Sequence, residues 1–270
     1  MNLSLLQEAA EVWSPDFPRH ASNRYSYQQE VADEIELYSS LTEAGNNGMP
    51  GYVSTYSFPN GHSKSGNVPK IDTIFVDFDI RGERYNPDEG RTRQKHWRIE
   101  MSDLLARVRM FSRKLVESGE AQYWRASLSG HKGVHLFLDF PTVEPSVGSF
   151  LQFKTGLREY ADNMTESLEE VCGGLNIEPW VDVISADLGR MVRHPNTPHH
   201  GVEYTDEVRY CVPVSIKELT AVDVDRYIEL TSEPRSVPEG CTRCESSSAG
   251  EKVEQTIRRA KENVASEVSP

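Results

Sequence analysis

Two carboxylates close an apolar run near the middle of the chain, Ile71-Asp-Thr-Ile-Phe-Val-Asp-Phe-Asp-Ile80. The centre of that run, Ile74, Phe75 and Val76, is β-branched and aromatic, so it reads as a buried strand. Asp77 and Asp79 lie two apart and emerge on one face of it, with Cα atoms roughly 6–7 Å apart. Ionised carboxylates side by side at the end of a core strand are costly unless a cation neutralises them. A hard divalent ion suits them best, because Mg2+ and Mn2+ take carboxylate oxygens and keep room for substrate phosphates. The plain alternative is a solvent-facing strand end.

Two further stretches carry chemistry. Tyr123-Trp-Arg-Ala-Ser-Leu-Ser-Gly-His-Lys-Gly-Val-His-Leu-Phe-Leu-Asp139 reads as strand, glycine-bounded turn and strand, with Gly130 and Gly133 framing His131 and Lys132. Backbone N–H groups in such a turn can approach an anion, Lys132 adds a cation, and Ser129 and His135 add donors. The bland reading is a hairpin with incidental polar residues, and His131 is set aside as an exposed position. Trp180-Val-Asp-Val-Ile-Ser185 is a third apolar strand with one carboxylate, Asp182. The run from Asp187 to His200 then clusters Arg190, Arg193, His194, His199 and His200. Asp187 reads as a turn cap, Asp139 as structural and His200 as an exposed position. Cys172 and Cys211 read as core thiols, while Cys241-Thr-Arg-Cys244 is half of a zinc site with no second pair to complete it.

The elements that must position these groups follow from periodicity. Leu3–Trp13 and Tyr27–Leu41 have helical spacing, Tyr52–Phe58 alternates like a strand, and Gly61 to Lys70 is a polar connector. Arg81 to His96 reads as a solvated loop, Trp97 to Ser118 as a helix with an arginine-rich back, and Phe150 to Val171 as a second long helix. A strand over Arg209 to Val214 and helical elements over Ser215 to Thr231 complete a catalytic domain of residues 1–231. From Ser232 the composition suggests a flexible acidic tail, with a short polar helix over Gly250 to Val264. The formal charge is -13, from 42 acidic and 29 basic residues, and arginine outnumbers lysine 20 to 9. That balance resembles proteins of high-salt, halophilic cytoplasm, where salt screens self-repulsion. No run approaches the roughly 18 apolar residues of a membrane helix, and the first residues lack the basic flank of a signal peptide. A cytoplasmic location with no membrane partner is expected.

Taken in order, the motifs resemble the catalytic (small) subunit of the archaeo-eukaryotic primases, the prim-pol superfamily, over roughly residues 25–215. Phe75-Val-Asp77-Phe-Asp79 matches the first family motif. Ser129-Gly-His-Lys-Gly-Val-His135 matches the second, and Val181-Asp182 with Arg193-His-Pro-Asn-Thr-Pro-His199 matches the third. The resemblance implies an α+β primase core, a mixed sheet flanked by helices. It implies that Asp77, Asp79 and Asp182 hold two Mg2+ or Mn2+ ions. Ser129, Lys132, His135, Arg193 and His199, with Arg190, would grip an incoming NTP or dNTP. The implied activity is that of a DNA primase or primase-polymerase, acting on a single-stranded DNA template. A primase large subunit or a replicative helicase is the implied protein partner. The clustered Cys/His zinc insertion of cellular members is missing between His135 and Asp182, which holds only Cys172. The rival readings are a metal-dependent nuclease or replication-initiator endonuclease, and a non-catalytic nucleic-acid-binding module. The first lacks a His-hydrophobic-His pair, and the second has no use for three clustered aspartates.

Overall fold

The computed structural model describes residues 2–24, 27–61, 66–80, 92–171, 181–184, 187–199 and 207–267. Helix α1 (Leu3–Trp13) begins under the Asn2 side chain and buries Leu6, Ala9, Ala10 and Trp13, one face of a 3.6-residue repeat. Strands β1 (Arg19–Arg24) and β2 (Tyr27–Val31) form an antiparallel hairpin, and α2 (Glu34–Asn46) follows. The helix expected over Tyr27–Leu41 is thus two elements. Asp33 caps α2 by accepting from the Glu36 amide, and the preceding Tyr-Gln-Gln-Glu-Val pairs with β1, burying Val31. Strand β3 (Tyr52–Ser54) is the paired part of the stretch expected to run to Phe58, and β4 (Ile71–Asp79) is the central strand. Helix α3 (Arg93–Ser118) starts behind the Thr92 cap, so the last residues of the expected 81–96 loop are its first turn, and 81–91 lie outside the described residues.

The hairpin of β5 (Trp124–Leu128) and β6 (Gly133–Val143) and helix α4 (Phe150–Val171) fall where periodicity puts them. The short strands β7 (Val181–Ile184), β8 (Met191–Arg193), β9 (Pro198–His199), β10 (Arg209–Tyr210) and β11 (Val212–Val214) follow, then α5 (Ile216–Leu219), α6 (Val224–Leu230) and α7 (Ser247–Glu267). This is an α+β architecture. The larger sheet has the order β11-β5-β6-β4-β7 and the smaller β2-β1-β3-β8, and every described pairing in them is antiparallel.

Strand alternation divides the larger sheet into two unlike faces. Ile74, Val76 and Phe78 of β4, opposite Leu138, Leu136 and Val134 of β6, point to the helical side. There they join the main core with Leu104 and Val108 of α3, Phe153 and Leu157 of α4, and Val253 and Ile257 of α7. Each such side chain contributes about 1.5–3 kcal/mol by burial. On the other face Phe75 and Phe137 meet a second cluster built from α1, α2, β3 and β8, including Leu6, Trp13, Leu41, Val53 and Val192. That cover stops short of the last two odd-numbered positions of β4, Asp77 and Asp79.

Residues 232–267 are not a loose tail. Cys241 is fully buried in the second cluster, Arg243 pairs with Asp72, and the Asn196 side chain bonds the Arg235 backbone on both its N–H and its carbonyl. Val253, Ile257 and Ala260 form an apolar stripe that packs α7 onto α4 so closely that a Cβ on Gly156 would stand 2.6 Å from Ile257 Cα. The polar composition of α7 belongs to its solvent face. The arginine-rich back of α3 is likewise structural: Arg109 donates to the Val222 carbonyl, Arg113 to that of Thr220, and Arg98 pairs with Asp225. No described helix is long and apolar enough to cross a membrane.

Candidate active site

Asp77 sits opposite His135 of β6 and Asp182 of β7, and His135 sits opposite Ser127 of β5. Cross-strand partners share a face, so Ser127, His135, Asp77 and Asp182 form one row across the sheet. Asp79 lies two residues further on, level with Gly133, on the same face. A cleft of about 180 Å3 opens over this row. Asp77, Asp79, Ser129, His131, Lys132, His135, Arg190 and Arg193 line it together with Tyr52. Seven of the nine expected site residues thus share the cleft. Of the other two, Asp182 is exposed beside Asp77 on the neighbouring strand, and His199 is buried behind His131, with ring centroids 4.7 Å apart.

The turn between β5 and β6 is closed on itself. Ser129 Oγ accepts from the amides of His131, Lys132 and Gly133 at 3.3, 3.2 and 2.9 Å. The backbone amides expected to face an anion therefore face Ser129, and the turn offers its side chains instead. Gly130 has φ +76 and a Cβ there would meet the Tyr210 carbonyl at 2.4 Å; a Cβ on Gly133 would meet the Phe78 carbonyl at 2.3 Å. Both glycines are needed for the turn to seat against its neighbours. Seated so, Lys132 places Nζ 3.3 Å from Asp79 Oδ2.

The second cationic group comes from the smaller sheet. Asp187 accepts from the Gly189 amide, as a turn cap should, and the Arg190 carbonyl accepts from the Thr55 amide. Arg190 Nη2 then lies 3.9 Å from Asp77 Oδ2. Arg193, in register with Tyr52 across β8 and β3, donates to the Ser129 carbonyl at 2.6 Å and to Tyr52 Oη at 3.3 Å. Its guanidinium also lies over the Tyr52 ring. It is buried, with no carboxylate partner among the described residues and with Nε unpartnered.

Burial raises the Asp77 carboxyl to about 7, helped by Asp79 and Asp182 and opposed by Arg190 and Lys132. Burial also raises Asp79 to about 6, against Lys132 and Arg193. His135 is pushed down to about 3 by burial, Arg193 and Arg190, and His131 to about 4 by burial, Arg193 and Lys132. Both imidazoles are neutral at neutral pH. His135 lies with Nε2 3.7 Å from Asp77 and Nδ1 3.4 Å from Ser127 Oγ.

The donor set fits a hard divalent cation. Two carboxylates held above their ordinary range face one cleft, and Asp79 Oδ1 is buried with no hydrogen-bond partner. Among the described residues no group of three or more His, Cys, Asp or Glu forms a closed ligand cluster. Cys241 does not complete one: its thiol lies against the Ala126 carbonyl, and burial pushes it up to about 11. Cys211 is buried as expected, while Cys172, Trp180 and His200 lie outside the described residues.

Two cleft residues escaped the sequence reading. His131 reads as an exposed position in the sequence, yet it lines the cleft with its ring tilted against that of His199. Tyr52 stands outside every motif, and its only signal was an aromatic residue opening a short alternating strand.

The fold and cleft define an α+β protein with a carboxylate pair facing three cationic side chains across one sheet edge. No protein-family model and no curated protein matches the chain. Among solved structures, the polymerase domain of Mycobacterium tuberculosis ligase D in complex with DNA is similar, at 14% identity and a TM-score of 0.45, covering 84% of this chain and 86% of that one. At that distance the likeness does not bear on what the cleft does; its side chains do.

Proposed function

We propose that the protein is a template-directed nucleotidyltransferase, a DNA primase or primase-polymerase that makes or extends primers on single-stranded DNA from NTPs or dNTPs. The observation that carries this reading is the pairing of Asp77 and Asp79 with Lys132, Arg190 and Arg193 in a single cleft. Carboxylates alone would suit a cation and cations alone an anion; their juxtaposition suits a metal-bound polyphosphate.

Asp77 and Asp79, with Asp182 alongside, would hold Mg2+ or Mn2+. The chemistry such ions supply when bound is activation of a primer 3′-hydroxyl and neutralisation of charge at the reacting phosphates. Lys132 and Arg190 would hold the β- and γ-phosphates and carry the charge that grows on departing pyrophosphate. Arg193, fixed by Ser129 and Tyr52, would be the preorganised member of that set. His135 stays neutral and supplies a hydrogen bond beside Asp77, His199 holds His131 in place, and Ser129 shapes the turn that presents Lys132.

Primer synthesis on single-stranded DNA, with Mg2+ or Mn2+ and labelled NTPs or dNTPs, tests the proposal. Products are expected from the wild type and none from Asp77→Ala/Asp79→Ala. Template cleavage in place of synthesis would replace this reading with a nuclease. Template binding without product, unrelieved by a large subunit or helicase, would reduce it to a binding module.

A further inference from the structure

The turn that carries Lys132 is held from beneath by two aromatic residues that do not line the cleft. Tyr227, on α6 and fully buried, donates from Oη to the Gly133 carbonyl at 3.1 Å and lies 3.3 Å from Ser129 Oγ. Proton placement follows from donor counting. Ser129 Oγ already accepts three amides, so its own hydrogen points to Tyr227 Oη, and the Tyr227 hydrogen goes to Gly133. The phenol thus closes a short chain that joins both ends of the turn. Beside it, Trp97 of α3 donates its indole N–H to the His131 carbonyl at 3.0 Å, and its ring lies 6.1 Å from that of Tyr227. The two supporting helices are themselves tied by the Arg98–Asp225 ion pair, and Asp223 caps α6.

We infer that Tyr227, backed by Trp97, is a positioning residue for triphosphate binding, because the turn it closes sets where Lys132 stands relative to Asp79. The inference rests on the nucleotide-binding reading of the cleft. Tyr227 touches no substrate; it acts through Ser129, Gly133 and the ammonium group they present. Rigid support matters here because a displacement of the order of an ångström in a charged contact already changes affinity and rate substantially.

The test is a double-mutant cycle on binding of a fluorescent α,β-imido nucleoside triphosphate with Mg2+, using the whole chain. Tyr227→Phe removes one oxygen and keeps the ring. It is expected to weaken the triphosphate analogue about tenfold in the wild-type background and less than twofold in a Lys132→Ala background, since its effect runs through Lys132. Binding of Mn2+ alone should stay within twofold. Trp97→Phe, which deletes the bond to the His131 carbonyl, should show the same dependence on Lys132 and serves if Tyr227→Phe folds poorly. An equal loss in both backgrounds, or triphosphate affinity within twofold of wild type for both variants, would overturn the positioning role and leave the cleft reading intact. Triphosphate binding that is unaffected by Lys132→Ala itself would overturn both.

Discussion

Replacing Asp77 by asparagine should make the metal-free protein more stable at neutral and alkaline pH while abolishing its proposed chemistry. The side chain retains 18% of its surface, and burial, Asp79 and Asp182 together hold its carboxyl at about 7 against an ordinary 3.8. Between those two values the folded state binds a proton that the unfolded chain has lost, so the wild type loses stability as pH rises through that window. With the carboxylate fully ionised the cost has a ceiling of about 4 kcal/mol. Water reaching the exposed part of the side chain reduces that, and roughly 2 kcal/mol is the expected gain for Asp77→Asn at about pH 8. In a chain of this size that is a rise in Tm of roughly 4–8 °C. At about pH 4, where the wild-type carboxyl is itself neutral, the two proteins should melt together. The assay is thermal unfolding by circular dichroism from about pH 4 to 8, with chelator present. Saturating Mg2+ or Mn2+ should then reverse the order, since an ion at about 100 times its Kd adds about 2.7 kcal/mol to whichever protein binds it. A variant no more stable than wild type at about pH 8, or a difference that does not grow between about pH 4 and 8, would refute the view that these carboxylates are held against their own electrostatics.

Two further perturbations test the supporting structure. Arg125 and Asp139 form a buried bidentate pair at 2.5 and 2.6 Å, so Arg125→Met should cost about 3–5 kcal/mol in denaturant unfolding, and Arg125→Met/Asp139→Leu should recover most of it. A chain ended after Thr231 should lose cooperative unfolding, because it strips Cys241 from one core and Val253 and Ile257 from the other; calorimetry of the shortened protein would show it.

What the sequence displayed well was periodic or punctuated. The stripe of α1, the strand β4, the glycine-framed hairpin and both long helices α3 and α4 announce themselves through spacing. The motif strands β4, β6 and β7 are neighbours in register, and β8 of the smaller sheet brings Arg193 to the same cleft. What stayed hidden depended on partners remote in the chain. Tyr27–Val31 has apolar residues that suit either period, and only pairing with β1 makes it a strand. The stretch beyond Thr231 is polar in composition, and its Val253–Ile257–Ala260 stripe gains meaning only against α4. Ser129 looked like an anion donor because its type allowed it; three local amides claim its oxygen instead. Tyr227 and Trp97, more than 90 and 30 residues respectively from the turn they hold, carry no local mark of that role.

One face of one sheet holds a fully paired carboxylate beside two that are not. Asp139, Asp77 and Asp79 all project to the same side, from adjacent strands β6 and β4. Asp139 receives a bidentate guanidinium, is covered by the second core, and accepts nothing from outside. Asp77 and Asp79 receive single, long contacts at 3.9, 3.7 and 3.3 Å from Arg190, His135 and Lys132, and one of their oxygens has no partner at all. Arg190 and Lys132 keep 40% and 46% of their side chains in solvent, so neither is committed to the carboxylate beside it. If charge pairing alone governed this face, the same arrangement that satisfies Asp139 would recur two or three positions along. It does not, and the register forbids an escape. A one-residue slip of β4 would drive Asp77 and Asp79 into the core of Val76 and Phe78. The sheet therefore fixes two carboxylates where they cannot withdraw and leaves them under-neutralised, which is the condition for binding a cation brought from outside.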